Sequence, residues 1–475
     1  MGTTSSIFQA KQATQNYESI VFRLPVEILE EIFRRVAWQS SSIRNVRLTC
    51  RDFRDLVDAD RTLPRHISLQ MGGHCRHFHY PAKDQRDHCV HNAKQLVAAL
   101  ECIKGAPFHF RIIMHWMFAI SLDHPLDNKI LWDSVPWHIF SAQCTGVAIG
   151  PISGYNRMTR EILQYIPPLP NLKYFDSRGN SLVSPSLIAQ LIPVDTPSPQ
   201  SLELSWAPEF SSQFDEAPSD SIFQNIKTFN FSHVEVLPNH FLIALFSSFR
   251  ALKYLTWNEY MGYRWDPDTI RRGIDWNFRL QRLRTKSSLL LAIPPTVLTD
   301  LLVLTVDLDT SEDTPLPEVE NYRLHLPHLT ELTLNGLWVS LVQVEAPNLR
   351  HLNLVGHRGD SGYLARTKLT PSFLNISDEG SGQTMEALLE REPWPRVTEL
   401  LLHVEAHWAC RDGRLAKLFS VDTVTAKFPQ MKTLLIEIRR RWTRNTGELR
   451  MMTQEQVEED IFSSFGARPY SISVL

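Results

Sequence analysis

Eight stretches of this chain share one spacing: an apolar residue, two others, an apolar residue, one other, and a closing position that is apolar in all but the first. They begin at Leu172, Ile226, Leu252, Leu301, Leu329, Leu349, Val397 and Met431. Weaker cases begin at Cys144, with Val147 and Ile149, and around Leu202 and Leu204. From Leu172 the starts are 54, 26, 49, 28, 20, 48 and 34 residues apart. The three longest steps each read as two units, one of them degenerate or widened by a loop. Alternation within each unit puts every second side chain on one face of a short strand. One such strand cannot bury its apolar face alone, whereas stacked neighbours can. Pro170, Pro327, Pro347 and Pro429 each stand two residues before a first apolar position, so a turn recurs at one phase of the repeat.

A period of roughly 20 to 29 residues with this spacing resembles the leucine-rich repeat. The resemblance implies an irregular solenoid over residues 105–442, with helical returns such as 187–192 and 242–249. Only the Leu172 unit continues in the full form, with Asn180 and Leu182; the other units lack the asparagine that would bond the turn backbone. The plainer alternative is a mixed α/β domain with several similar strands. Residues 193–221, 309–321 and 357–392 break the spacing with Pro, Ser, Gly and charged residues, and read as loops inserted between units.

Residues 22–57 carry two short helical patterns of a different kind. Pro25 sits where a helix starts, and Glu27 suits the positive end of its dipole. Ile28, Leu29, Ile32, Phe33 and Val36 form one apolar face, and Ile43, Val46, Cys50, Phe53 and Val57 form a second. Ser40, Ser41 and Ser42 separate the two and offer a cap. So short a segment cannot bury both stripes within itself. They pack on each other, on the next domain or on a partner; an ordinary helical hairpin of a larger fold is the bland reading.

The opening Leu24-Pro25-x-Glu27-Ile28-Leu29-x-x-Ile32-Phe33, closed by Cys50-Arg51-x-Phe53-x-x-Leu56-Val57, closely resembles the F-box. One departure is the link, where Trp38 and the serine run replace a shorter, more apolar connection. The resemblance implies a small all-α module that docks on the Skp adaptor of a cullin-based ubiquitin ligase. It names Leu24, Pro25, Ile28, Leu29, Ile32 and Phe33 as adaptor contacts. Cys50 and Phe53 are either further contacts or, with Val46 and Leu56, the module's own core. The expected fold class is therefore α/β. A disordered tail (1–20) and the F-box-like module (21–60) lead through a His/Cys-rich connecting segment (61–104) to the repeat solenoid (105–442). A charged C-terminal tail or cap follows (443–475), with a helix over 454–465. Residues 65–69 read as a short strand leaving the module.

Charge and composition narrow the function classes. A net charge of −3 leaves no basic footprint for nucleic acid. No stretch has the length of apolar sequence that a membrane span needs. The N-terminus shows no basic segment followed by an apolar one, which points to a cytoplasmic or nuclear protein. Six cysteines without a C-x-x-C read as reduced thiols, and the glycosylation sequons at Asn230 and Asn375 as chance matches. Met1-Gly2-Thr3-Thr4-Ser5-Ser6 fits a myristoylation consensus. A single acyl chain binds membranes only marginally, and no second anchor follows, so no stable membrane insertion is expected.

Two clusters compete for a site. His74, Cys75, His77, His79, His88, Cys89 and His91 place seven zinc-type ligands within eighteen residues. Cys75 with His77 or His79, and Cys89 with His91, could close a tetrahedron, but the spacing matches no standard finger; the alternative is a polar loop. Residues 254–282 gather aromatics and arginines, among them Trp257, Tyr260, Tyr263, Arg264 and Trp265. Such residues dominate protein interfaces, although each can equally pack into the core. Gly359-Asp-Ser361-Gly362 resembles a serine-protease nucleophile segment but lacks its partner segments. No phosphate-binding loop and no H-E-x-x-H is present. The expectation is a non-enzymatic adaptor without cofactor, binding the Skp adaptor and cullin core through the F-box and a target protein through the repeats. A scaffold that does not lead to degradation, and a zinc protein built on residues 74–91, are the alternatives.

Overall fold

Wherever the apolar spacing recurs, the backbone runs as a strand, and the reason lies in the turn before it. In seven places the backbone N–H of the first apolar residue donates to the carbonyl three residues earlier: Leu172 to Leu169, Ile226 to Phe223, Leu301 to Leu298, Leu329 to Leu326, Leu349 to Ala346, Val397 to Trp394 and Met431 to Phe428. Each residue that accepts is itself buried, so every turn is pinned at both ends. Proline takes the second place of five of these turns, where its fixed φ is favourable.

The structure is a computed structural model that describes residues 64–71, 87–103, 105–114, 132–149, 164–177, 190–192, 201–206, 223–233, 239–259, 267–307, 322–335, 342–355, 369–377, 389, 392–405, 419–439 and 470–474. These belong to two units, Met1–Pro199 and Gln200–Leu475. Both are mixed α/β with few helices, and the strand pairings of both are parallel.

The first unit holds β1 (Arg65–Met71), β2 (Asp87–Val90), α1 (Ala93–Cys102), β3 (Phe108–Met114), α2 (Trp137–Gln143), β4 (Cys144–Ile149) and β5 (Tyr174–Asp176). Its strands lie in the order β2-β1-β3-β4-β5. The expected strand over 65–69 is therefore β1, and β2 forms within the His/Cys-rich stretch. Its Val90 is buried and pairs with Leu69, so one end of that stretch is sheet edge rather than polar loop. Asn92 caps α1 by accepting from the Gln95 backbone N–H at 2.9 Å, and Leu96 and Leu100 turn into the core. Phe140 of α2 packs edge-on against Phe108 and Phe110 at 5.1 and 5.0 Å.

The second unit holds β6 (Ser201–Trp206), β7 (Thr228–His233), α3 (Asn239–Ser248), β8 (Tyr254–Glu259), α4 (Pro267–Gly273), β9 (Arg282–Lys286), α5 (Ser287–Ala292) and β10 (Val303–Asp307). It continues with β11 (Tyr322–His325), β12 (Glu331–Asn335), β13 (Val342–Glu345), β14 (His351–Val355), β15 (Phe373–Ser377), β16 (Glu399–Glu405), α6 (Val421–Lys427), β17 (Thr433–Arg439) and β18 (Ser471–Val474). The main sheet runs in chain order from β6 to β18, omitting β11 and β13, which pair with each other. The three long steps in the sequence spacing each hold one extra strand: β6, β9 and β15. The register lines up buried residues across neighbours, as in Leu304, Leu332, Leu352, Leu374, Leu400 and Leu434. Each such side chain contributes about 1.5–3 kcal/mol by leaving water.

Most units lack the turn asparagine, and a hydroxyl ladder does comparable work. Thr330 and Thr398 each follow directly after a turn, Ser372 stands just before β15, and Ser471 opens β18. Their Oγ atoms donate to the carbonyls of Leu302, Arg350, Ser372 and Lys432 at 3.0–3.2 Å. Each bond ties a strand to the one before it.

Residues 471–474, within the expected tail or cap, form β18, with Ile472 and Val474 opposite Leu434 and Ile436. One expectation is corrected. Trp257, expected at a binding surface, is fully buried and stacks on Phe231 at 4.2 Å. It occupies the last apolar place of its unit, which faces the core. The F-box-like module (21–60) and the expected helix over 454–465 lie outside the described residues.

Candidate functional site

In each unit the strands present a second face, opposite the apolar one. In the first unit one cross-strand row reads His66, His109, Gly146, Tyr174. The imidazoles of His66 and His109 meet edge to face at 5.3 Å, and Tyr174 stacks on His109 at 6.0 Å. Gly146 leaves the room for this: a Cβ there would lie 2.7 Å from His109 Cδ2. A register shift at Phe108/His109 brings the glycine opposite the ring. Burial, with His66 as a lesser cause, pushes the His109 imidazole down to about 3, so it stays neutral at ordinary pH. The Tyr174 hydroxyl donates to Asp176 Oδ2 at 3.0 Å.

In the second unit the outward face is largely polar as far as β15 and turns apolar at Leu401 and Leu435 on β16 and β17. One row crosses β7, β8, β9, β10, β12, β14 and β15 as Asn230, Thr256, Arg284, Thr305, Thr333, Asn353 and Asn375. Asn353 Nδ2 donates to Thr333 Oγ1 at 3.0 Å. In the next row Asp307 accepts from Arg284 Nε at 2.9 Å and from Asn335 Nδ2. Both glycosylation sequons lie within these strands, and Asn375 Oδ1 is shielded from solvent. Such a face can recognise a partner's polar groups. The alternation between apolar positions was the signal for these side chains, but the sequence does not say which outward positions stay wet.

Of the expected target-binding residues, Trp257 belongs to the core, and Tyr260, Tyr263, Arg264 and Trp265 lie outside the described residues. Tyr254, from the same stretch, is exposed on the outward face. Of the zinc candidates, Cys89 and His91 are exposed at the end of β2, with Sγ 3.8 Å from Nε2. Cys75, His77 and His79 lie outside the described residues. Among the described residues no group of three or more metal-ligating side chains converges. His88 is pushed down by burial and by the Arg65 charge. Burial pushes the Cys144 thiol up to about 12, so it acts as a small apolar residue rather than a nucleophile.

The expected adaptor contacts, Leu24, Pro25, Ile28, Leu29, Ile32, Phe33, Cys50 and Phe53, all fall outside the described residues, and a comparison of sequences bears on them. Residues 21–70 match the F-box-like family. The F-box-like match runs from before the Leu24-Pro25 opening into β1. It is consistent with binding to a Skp-type partner. No curated protein matches the chain. Among the described residues no helix is long and apolar enough to cross a membrane.

Proposed function

We propose that this protein is a non-enzymatic substrate-recognition adaptor of a cullin-based ubiquitin ligase, working in the cytoplasm or nucleus. The observation that carries the reading is the F-box-like match over residues 21–70. The module docks on the Skp adaptor, with Leu24, Pro25, Ile28, Leu29, Ile32 and Phe33 as the contacts. Ubiquitin transfer is performed by other subunits, so no residue here needs to act as a nucleophile. The C-terminal portion acts as an irregular leucine-rich-repeat-like solenoid that holds a target protein. The parallel strands in chain order, the aligned leucines and the recurrent turn support that part.

Co-purification with the Skp adaptor tests the proposal. The native chain is compared with one carrying Leu24→Ala, Pro25→Ala and Ile28→Ala. Capture by the native chain and its loss in the variant is the expected result. If the native chain does not bind where a known F-box protein does, the ligase reading falls and a protein-interaction scaffold takes its place.

A further inference from the structure

The outward side chains of β9 are Arg282, Arg284 and Lys286. No other strand of the main sheet from β7 to β18 carries a lysine or arginine in the three matching rows. Side chains on one face of a strand repeat about every 7 Å, so three like charges stand in a column and repel one another. Arg284 is relieved in part by Asp307, at 2.9 Å, yet its side chain remains 53% exposed. Arg282 lies between Tyr254 and Val303 in its row and is exposed, with no carboxylate partner among the described residues. Tyr254 is 40% exposed beside it, and its hydroxyl donates to Gln281 Oε1.

We propose that β9 is the docking track for an extended acidic segment of a partner protein, laid along the strand with carboxylates at alternate positions. The inference rests on the reading that this sheet presents a target, and it names the chemistry of that target. An extended peptide repeats its same-face side chains at the spacing of β9, so alternate acids meet alternate bases. Tyr254 adds an amphipathic contact at the flank. A nucleic acid fits less well: Asp307 and Glu331 follow on the next two strands, so the positive track is only one strand wide.

The test uses the full chain and two labelled peptides, one with glutamate at every second position and one with those residues changed to glutamine. Fluorescence anisotropy is read for the native chain, for Arg282→Glu with Lys286→Glu, and for Arg350→Glu, an exposed site outside the β9 column. Native binding of the glutamate peptide that weakens with salt, and about tenfold or more with the double reversal, is the expected result. The glutamine peptide does not bind, and Arg350→Glu behaves as native. Circular dichroism confirms that the reversed chain is folded, and Tyr254→Ala gives a second, milder loss. Failure of the native chain to bind, equal binding by the reversed chain, or a single-stranded oligonucleotide binding as tightly as the peptide overturns the proposal. Skp co-purification is run on the same preparations. Retained Skp binding without peptide binding sinks only the β9 track, whereas peptide binding without Skp capture sinks only the ligase reading.

Discussion

The outward faces of the two units start from the same backbone and end as different materials. In the first unit the row His66, His109, Gly146, Tyr174 is filled with rings laid over a glycine, and both histidines are buried. In the second unit the row from Asn230 to Asn375 carries amides, hydroxyls and one guanidinium. A parallel strand offers two faces with equal geometry. The bulk and polarity of the outward residues decide whether the second face becomes core or surface. The first arrangement is held by packing among rings, and the second by hydrogen bonds between side chains of neighbouring strands.

The contrast between inward and outward positions is sharpest on β8. Trp257→Ala should cost about 3–5 kcal/mol in denaturant unfolding, because it empties a fully buried site. Tyr254→Ala, three residues away on the exposed face, should cost under about 1 kcal/mol. Equal losses would break the assignment of faces. In the first unit, Gly146→Ala should cost about 1–3 kcal/mol through the clash with His109. Adding His109→Ala should recover part of that loss if the two sites are coupled as the contact implies.

The buried imidazole makes the first unit's stability depend on pH. Between 6.5 and about 3 the unfolded chain binds a proton at His109 that the folded chain refuses. Stability therefore falls as pH drops through that window, by up to about 1.4 kcal/mol for each pH unit, and is unaffected by this group above it. Unfolding midpoints measured down the acid range should show His109→Asn losing this share of the slope. On the second unit the effects are smaller. Thr330→Val should cost about 1 kcal/mol by removing one rung of the hydroxyl ladder. Arg284→Ala should cost only about 0.2–1 kcal/mol, since its pair with Asp307 is half in water.

Much of this was legible along the chain. The spacing from Leu172 to Met431 located eight strands, and its three long gaps announced β6, β9 and β15. Burying one face of a short strand leaves a periodic trace that survives irregular loops. The turn prolines were legible too, because φ near −65° is a property of the residue itself. Trp257 was not: an aromatic suits an interface as well as a core, and only its place in the repeat separates the two. The hydroxyl ladder escaped notice because Thr330, Ser372, Thr398 and Ser471 look like ordinary turn residues until the preceding strand brings its carbonyl near. β18 escaped because a four-residue strand is too short to show its period against a charged background.

Local chemistry thus determined the strands and the turns, for each depends on residues within about ten positions of one another, and two short motifs along the chain gave the N-terminal module its resemblance. The Leu24-Pro25 opening and the Cys50-Arg51-x-Phe53 close were enough to draw the F-box-like resemblance that the family match over residues 21–70 repeats. Tertiary structure alone decided which outward residues share a row. His66 and His109 stand 43 positions apart in the chain and meet ring to ring, while Arg282 and Arg284 become a lone basic column only when nine other strands of the same sheet are laid beside β9. Register is a relation between strands, set by the burial of their apolar faces, and no single strand contains it.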